Sequence, residues 1–188
     1  VKREVTRVVT PGTTLNAQAL DETKNNYIMC IAYIGDHYGI SSADITTGDY
    51  YVTEVDSERK LLDEVNKYQP TEIICNEAFY ISGIDIDDMK NRMGIVIYSL
   101  DAWYFSDETA QMTLKDHFKV RDLEGLGLAD YDSGVVAAGA LLKYLYETQK
   151  TTLSNLVAIH PYTTGKFMRI AVQSFLCRWD SNHFQKLH

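Results

Sequence analysis

The feature that most constrains this chain is the apolar run at residues 27–34, YIMCIAYI, whose only polar side-chain groups are tyrosine hydroxyls. A strand that is apolar on both faces must be covered on both faces, so we predict that it lies inside a sheet with helices on either side. Residues 40–46 are expected to return beside it, and residues 50–55 to form a third strand. The glycine-containing segments 35–39 and 47–49 are the predicted turns of this antiparallel meander.

After the meander, the pattern alternates between helices and short strands. The spacing of apolar residues predicts a helix over residues 57–69, which Pro70 ends, and then a buried strand over residues 72–76. A short helix is predicted over residues 85–93 and a fifth strand over residues 94–98. Because strand–helix–strand connections in one sheet run parallel and right-handed, we predict an α/β fold with a mixed five-stranded sheet flanked by helices.

The chain beyond residue 100 is predicted to be mainly helical. One helix is expected at about residues 106–118, and a longer one at residues 134–150, capped by residues 132–133. The first half of the longer helix is apolar nearly all round, which indicates burial. Gly139 within it is roughly 1 kcal/mol less favourable than alanine, which indicates close approach to a neighbour. The aromatic segment at residues 101–105 is expected to pack rather than to bind a ligand.

Composition narrows the possible functions. A chain of 188 residues suits one domain with a full core, and a formal net charge of −8 argues against broad electrostatic binding of nucleic acid. No apolar run is long enough to cross a bilayer, and no secretory signal is present.

The three cysteines show no paired spacing, and Cys30 and Cys75 fall in predicted buried strands, so we expect a reducing, cytoplasmic location. Val1 in place of an initiator methionine indicates a piece of something larger.

Motifs for chemistry are mostly absent. The sequence contains no GxxxxGK[ST] loop, no GxSxG elbow and no HExxH pair. The five histidines are scattered, and His37 and His117 are expected to be surface or packing residues. The sequence therefore predicts no catalytic, metal or cofactor site.

The predicted sheet order resembles the ribonuclease H-like fold. Nucleases of that fold carry a metal-binding aspartate in the middle of the first strand, because two-metal chemistry needs carboxylates around ions about 4 Å apart. Here the middle of that strand is MCIA, at residues 29–32. Asp44, the carboxylate well inside the meander, is expected to fix the turn that follows it. We expect a scaffold without catalysis, with a ribonuclease H-like metal-dependent nuclease as the alternative.

Three segments, in order, resemble one family more specifically, the DNA mismatch-repair protein MutS. They resemble its junction after the mismatch-reading domain, the second-strand motif of its connector domain and the last long helix of that domain. The segments are REVTRVVTPGT at residues 3–13, ADITTG at residues 43–48 and AAGALLKYLYETQKTTL at residues 137–153. The match extends to about residue 168.

The resemblance implies three parts. Residues 1–20 correspond to the junction from the preceding domain, and residues 21–168 to a ribonuclease H-like connector domain. Residues 169–188 lack the Asp-x-x-[ST]-x-x-x-Leu-Glu pattern that begins the family's lever. We interpret that tail as a cloning or reading-frame artefact, with a divergent start of the lever as the alternative.

The resemblance also implies a function. The family's connector domain has no enzymatic activity, relays state between the mismatch-binding and ATPase parts, and docks the partner MutL. The family's Phe-x-Glu mismatch motif and its ATP site are absent here, so this fragment is expected to bind no cofactor and to meet DNA only through its parent protein. No membrane partner is expected.

In this family, the surface offered to MutL includes the helix before a glycine-interrupted link. The spacing to Phe118 and residues 121–123 places that helix at residues 106–118. The residues expected to face the partner are Gln111, Met112, Thr113 and Lys115. A polar face with one methionine is typical of transient interfaces, although it also suits an ordinary solvated helix. A nucleic-acid-binding module is a further alternative, using Lys2, Arg3, Arg7 and Lys24.

Overall fold

The computed structural model describes residues 26–149 and 153–164. Helices and strands alternate along these residues after an initial three-stranded meander. Their order is β1 (Ile28–Ile34), β2 (His37–Asp44), β3 (Asp49–Val55), α1 (Glu58–Tyr68), β4 (Glu72–Cys75), α2 (Glu77–Tyr80), α3 (Ile86–Arg92), β5 (Val96–Ser99), α4 (Asp107–Phe118), α5 (Ser133–Gln149) and β6 (His160–Pro161). Two 3-10 helices, Ala102–Phe105 and Glu124–Leu126, lie on either side of α4.

The strands form one mixed sheet in the order β5-β4-β1-β2-β3-β6. The pairs β1–β2 and β2–β3 are antiparallel, whereas β1–β4, β4–β5 and β3–β6 are parallel. The order β3-β2-β1-β4-β5 with β2 reversed is the ribonuclease H-like topology expected from the sequence. The prediction of five strands omitted β6, because two residues are too few to show a periodic pattern.

The predicted burial of the first strand is confirmed. Residues 28–32 of β1 are at most 1 % exposed, and their side chains alternate between two cores. One core lies between the sheet and helices α4 and α5, and the other lies between the sheet and helices α1 to α3. An interior strand covered on both faces therefore organises the whole domain.

The predicted five-residue turn at residues 35–39 is wrong. Only Gly35 and Asp36 lie outside the strands, and Tyr38 and Gly39 already pair with Tyr33 and Ala32 of β1. Gly35 has φ +61°, which lets two residues reverse the chain. The reading of Gly39 as a turn glycine is replaced by a packing role, because a Cβ there would overlap the backbone carbonyl of Ser133.

Helix α5 crosses the sheet at close range. A Cβ on Gly139 would overlap Ala110 of α4, so the predicted close approach at this glycine is confirmed. On the sheet side, the buried hydroxyl of Tyr50 donates a hydrogen bond to the Ala138 carbonyl at 2.5 Å. These contacts fix the helix against both the sheet and its neighbouring helix.

The predicted cap of the long helix, by the side chains of Asp132 and Ser133, is wrong. Glu54 of β3 takes that role instead, because its Oε1 accepts hydrogen bonds from the Asp132 N–H at 2.6 Å and the Gly134 N–H at 2.9 Å. The Ser133 hydroxyl is buried and makes no hydrogen bond. A carboxylate at this end also suits the helix dipole.

Several sequence-based predictions lie outside the described residues. They are the strand at residues 4–10, the junction at residues 1–20, the tail at residues 169–188, Cys177, and the basic residues Lys2, Arg3, Arg7 and Lys24. Within residues 26–149 and 153–164, none of the helices is both long and apolar enough to cross a membrane.

Candidate partner-binding face

Helix α4 carries the predicted partner face. Ala110 and Leu114, both fully buried, hold the helix against α5. Because each residue turns the helix by about 100°, Met112 points almost directly away from both of them. Its side chain is 58 % exposed, which is unusual for a methionine of a folded domain. The helix thus places one flexible apolar side chain at the centre of its solvent-facing side.

The other three predicted residues are half-buried around Met112. The Gln111 amide donates to Asp107 at 2.7 Å, and the Thr113 hydroxyl donates to the Thr109 carbonyl at 2.7 Å. Helical spacing sets Gln111 and Lys115 on one flank of Met112 and Thr113 on the other. The structure therefore brings the four predicted residues onto one continuous surface, whose role as an interface stays a prediction.

A groove runs beside this face, between α4 and α5. Its volume is about 360 Å³, and it is lined by Thr113, Asp116, His117, Lys143, Tyr146 and Glu147. The His117 Nε2 lies 2.7 Å from the Leu156 carbonyl and so donates to it, which leaves Nδ1 to accept from the Tyr146 hydroxyl. His117 is therefore a packing residue, as predicted, and His37 is exposed, also as predicted.

The aromatic segment before α4 adds a feature that the sequence analysis missed. Phe105 and Tyr104 pack against the core as predicted, but Trp103 is 48 % exposed. The Nζ of Lys143, which also lines the groove, lies 4.2 Å from the centre of the Trp103 ring. Burial and then the hydrogen bond to Glu147 raise the pKa of Tyr104 to about 12, so its hydroxyl stays a donor. No periodic signal marks which aromatic of a short 3-10 helix faces outward.

The carboxylate inside the meander is structural. Asp44 Oδ1 accepts from the Thr46 N–H at 2.9 Å and from its hydroxyl at 2.5 Å, and Oδ2 accepts from the Asn26 N–H at 2.9 Å. Asp44 therefore fixes the turn after β2, as predicted. In the part of the chain that the structure describes, no group of three or more His, Cys, Asp or Glu residues is placed to hold a metal ion.

The two described cysteines are both free and buried. Burial, followed by the neighbouring Cys75, raises the pKa of Cys30 well above its ordinary value. Burial also raises the pKa of Cys75, to about 12. Because the thiolate is the reactive form, both side chains act as small core residues, as the sequence predicted.

These observations define a ribonuclease H-like α/β domain whose first strand lacks the carboxylate of the metal-dependent nucleases. Residues 26–157 match the family model described as MutS domain II. The chain therefore belongs to the MutS domain II family, which confirms the resemblance drawn from its sequence.

Individual relatives support the same assignment. The chain is 58 % identical over 170 residues to the DNA mismatch repair protein MutS of Lachnoclostridium phytofermentans, covering 90 % of this chain and 18 % of that protein. It is 36 % identical over 171 residues to the MutS of Protochlamydia amoebophila, covering 90 % of this chain and 20 % of that protein. It is 38 % identical over 177 residues to the MutS of Ruminiclostridium cellulolyticum, covering 93 % of this chain and 20 % of that protein. The chain thus spans about a fifth of the length of these relatives.

A solved structure is also similar in outline. It is T. thermophilus RuvC in complex with a Holliday junction substrate, at 11 % identity and a TM-score of 0.43, covering 65 % of this chain and 95 % of that one. A TM-score this low carries no functional information for the present chain.

Proposed function

We propose that this chain is the connector module of a MutS-type mismatch-repair protein. In this role it relays state between the mismatch-binding and ATPase parts of the parent, and docks MutL through the α4 face. The docking proposal depends chiefly on one observation, the exposure of Met112 at the centre of an otherwise polar helix face. Methionine adapts to different partner shapes, and a polar surround keeps the face from sticking when it is free.

The path of the chain supports a relay role. Asn26, at the amino end of β1, is tied to Asp44, and His160 pairs with Tyr51 at the same end of the sheet. The described chain therefore enters and leaves near the same strand ends of the sheet, those at the amino end of β1, and the sheet is packed on both faces. A rigid domain whose two chain connections lie close together can transmit rotation between the parts that those connections join. The α4 face lies in the helix layer that covers one side of the sheet.

We further propose that the module is not an enzyme, needs no cofactor and acts in the cytoplasm, meeting DNA only through its parent. The residues facing the cores at the centre of β1 are Met29, Cys30, Ile31 and Ala32, which offer no oxygen ligand for a metal ion. An assay with Mg²⁺ or Mn²⁺ on RNA–DNA hybrid and on single strands should give no cleavage. Cleavage that disappears on Asp44→Asn substitution would overturn this part of the proposal.

The docking proposal is tested in the full parent protein with Met112→Glu and Thr113→Glu together. Surface changes of this kind should alter the free energy of unfolding by less than about 0.5 kcal/mol. Recruitment of MutL to a mismatch, measured by surface plasmon resonance, should fall at least tenfold, while mismatch binding and ATP hydrolysis persist.

The matched control is Asn66→Glu with Asn91→Glu. Both asparagines are exposed, and they lie on α1 and α3, on the other face of the sheet. The pair adds the same two negative charges, so it separates a local effect from a change in net charge. Equal recruitment of MutL by the wild type and by the Met112/Thr113 variant would show that the MutL site lies elsewhere.

A further inference from the structure

A second surface lies at the carboxyl ends of the parallel strands β4 and β5. After β4 the chain turns toward the α1–α3 layer, where Phe79 of α2 is fully buried. After β5 it turns to the opposite layer, where the 3-10 helix Ala102–Phe105 packs against α5. Adjacent parallel strands whose connections leave toward opposite faces open a crevice between them. Open α/β sheets commonly bind their ligands in crevices of this kind.

The crevice is large enough for a side chain and part of a backbone. Its volume is about 560 Å³, within the range of roughly 300–1,000 Å³ that ligand sites occupy. Ala78, Ile81, Leu100 and Phe105 form its apolar wall. Ile81 is 73 % exposed, which is a high exposure for a large aliphatic side chain. Exposed apolar surface within a concavity is typical of an interaction site.

Two lips border the crevice, namely the segment that follows β4 and the segment that follows β5. Hydrogen bonds within the domain hold both lips in place. The side chain of Asn76 accepts from the N–H groups of Tyr33 at 3.1 Å and Phe79 at 3.2 Å, and donates to the Tyr33 carbonyl at 2.9 Å. On the other lip, the Leu100 N–H donates to the Cys75 carbonyl at 2.9 Å. A preformed crevice spares a partner the entropic cost of ordering its binding site.

The charge at the crevice has one sign. Glu77 and Asp101, both exposed, line it from the two lips, and no lysine or arginine is among its lining residues. Neither acid takes part in the three ion pairs found among the described residues. Lys90 is nearby but lies on Tyr80, with its Nζ 3.3 Å from the hydroxyl and 5.4 Å from the ring centre. The crevice is therefore complementary to a cation beside an apolar group.

We propose that this crevice binds a linear peptide segment of a partner protein in which a large apolar side chain lies next to a lysine or arginine. The apolar side chain fills the space between Ile81, Leu100 and Phe105, and the cation lies between Glu77 and Asp101. The site lies at the carboxyl ends of β4 and β5. The described chain enters and leaves at the opposite strand ends of the sheet. It shares no residue with the α4 face, so its test is independent of MutL docking.

The test is a selection from a phage-displayed library of random heptapeptides on the 188-residue chain. Selected peptides should be enriched in a large apolar residue within two positions of a lysine or arginine. The affinity of one selected peptide, measured by fluorescence anisotropy, should fall at least tenfold for Glu77→Lys with Asp101→Lys. It should also fall at least fivefold for Ile81→Ser. These side chains are exposed, so the variants are expected to keep the wild-type circular dichroism spectrum.

The matched control is Asp63→Lys with Asp130→Lys, which makes the same change in charge at exposed carboxylates outside the crevice. Its affinity for the peptide should stay within twofold of wild type. Three results would each overturn the proposal: no peptide is selected, the selected peptides lack a basic residue, or the crevice and control variants lose affinity equally. The last result would assign the binding to net charge alone.

Discussion

Glu54 joins the sheet to the longest helix through a single carboxylate. The first N–H groups of a helix have no partner within the helix, and leaving them unpaired in a half-buried setting is costly. Here one oxygen of Glu54 serves the N–H groups of Asp132 and Gly134, across 78 and 80 residues of sequence. A side chain on a strand therefore sets where α5 begins.

We expect Glu54→Ala to lower the free energy of unfolding by about 1 kcal/mol, the usual cost of losing a helix cap. Glu54→Gln should cost less, because its amide oxygen still accepts hydrogen bonds. Urea denaturation of both variants measures the difference. Glu124→Ala is the control, since that side chain is exposed and makes no hydrogen bond or ion pair with the described residues. A loss no larger than that of the control would mean that solvent caps α5 equally well.

At the scale of helices and strands, the packing of α4 on α5 depends on the absence of one side chain. A methyl group on Gly139 would meet the Cα, Cβ and carbonyl oxygen of Ala110, and two of these atoms belong to the backbone. Backbone atoms cannot move aside as a flexible side chain can, so the two helices would have to separate. This contact sets the distance between the α4 face and the core.

Gly139→Ala should therefore destabilise the domain, although alanine is the better helix former by about 1 kcal/mol. Overpacking costs typically about 1–3 kcal/mol, so we expect a net loss of up to about 2 kcal/mol by urea denaturation. Adding Ala110→Gly should recover part of the loss, because it removes one of the overlapping atoms. Gly125→Ala is the control, since its nearest neighbour would be 3.8 Å away. A more stable Gly139→Ala protein would show that the helices can part without cost.

Elements marked by a long apolar run were predictable, and those defined by distant contacts were not. β1 and α5 were found because their apolar runs are long and leave one arrangement that buries them. The turn at residues 35–39 was drawn too long, because Gly39 is required by the approach of Ser133, which no local pattern reveals. The cap from Glu54 was missed for the same reason, and β6 was missed because two residues are too few to show a pattern. At the candidate face, helical period predicted that Gln111, Lys115 and part of Met112 face solvent, but it did not show that Met112 is the most exposed of them. The exposure of Trp103 depends on where α5 lies.

For the whole molecule, the decisive question is where the folded unit ends. The family match stops at residue 157, but the domain continues to Tyr162. The Tyr162 N–H donates to the Val52 carbonyl at 3.0 Å, and its carbonyl accepts from the Tyr131 hydroxyl at 3.2 Å. Its own hydroxyl donates to Glu64, a carboxylate only 5 % exposed on α1. Tyr162 thus ties the segment that leaves the domain to β3, α1 and the loop before α5.

Tyr162→Phe tests this anchor by removing a single oxygen. Burial, followed by the hydrogen bond to Glu64, raises the pKa of Tyr162 well above its ordinary value, so the hydroxyl stays protonated at neutral pH and donates to Glu64. Its loss leaves the Glu64 carboxylate without this donor and Tyr68, now 2.8 Å away, without an acceptor. We expect the free energy of unfolding to fall by about 1–3 kcal/mol, the cost of leaving buried polar groups unpaired.

Tyr98→Phe is the matched control, because that tyrosine is 42 % exposed and should change stability by less than about 0.5 kcal/mol. Hydrogen exchange then locates the effect. In the Tyr162→Phe variant, the amides of Tyr162 and of α1 should exchange faster, whereas those of α5 should change less, because α5 is anchored independently by Glu54 and Ala110. Equal stability of the two variants would show that the Tyr162 hydroxyl does not anchor the end of the domain.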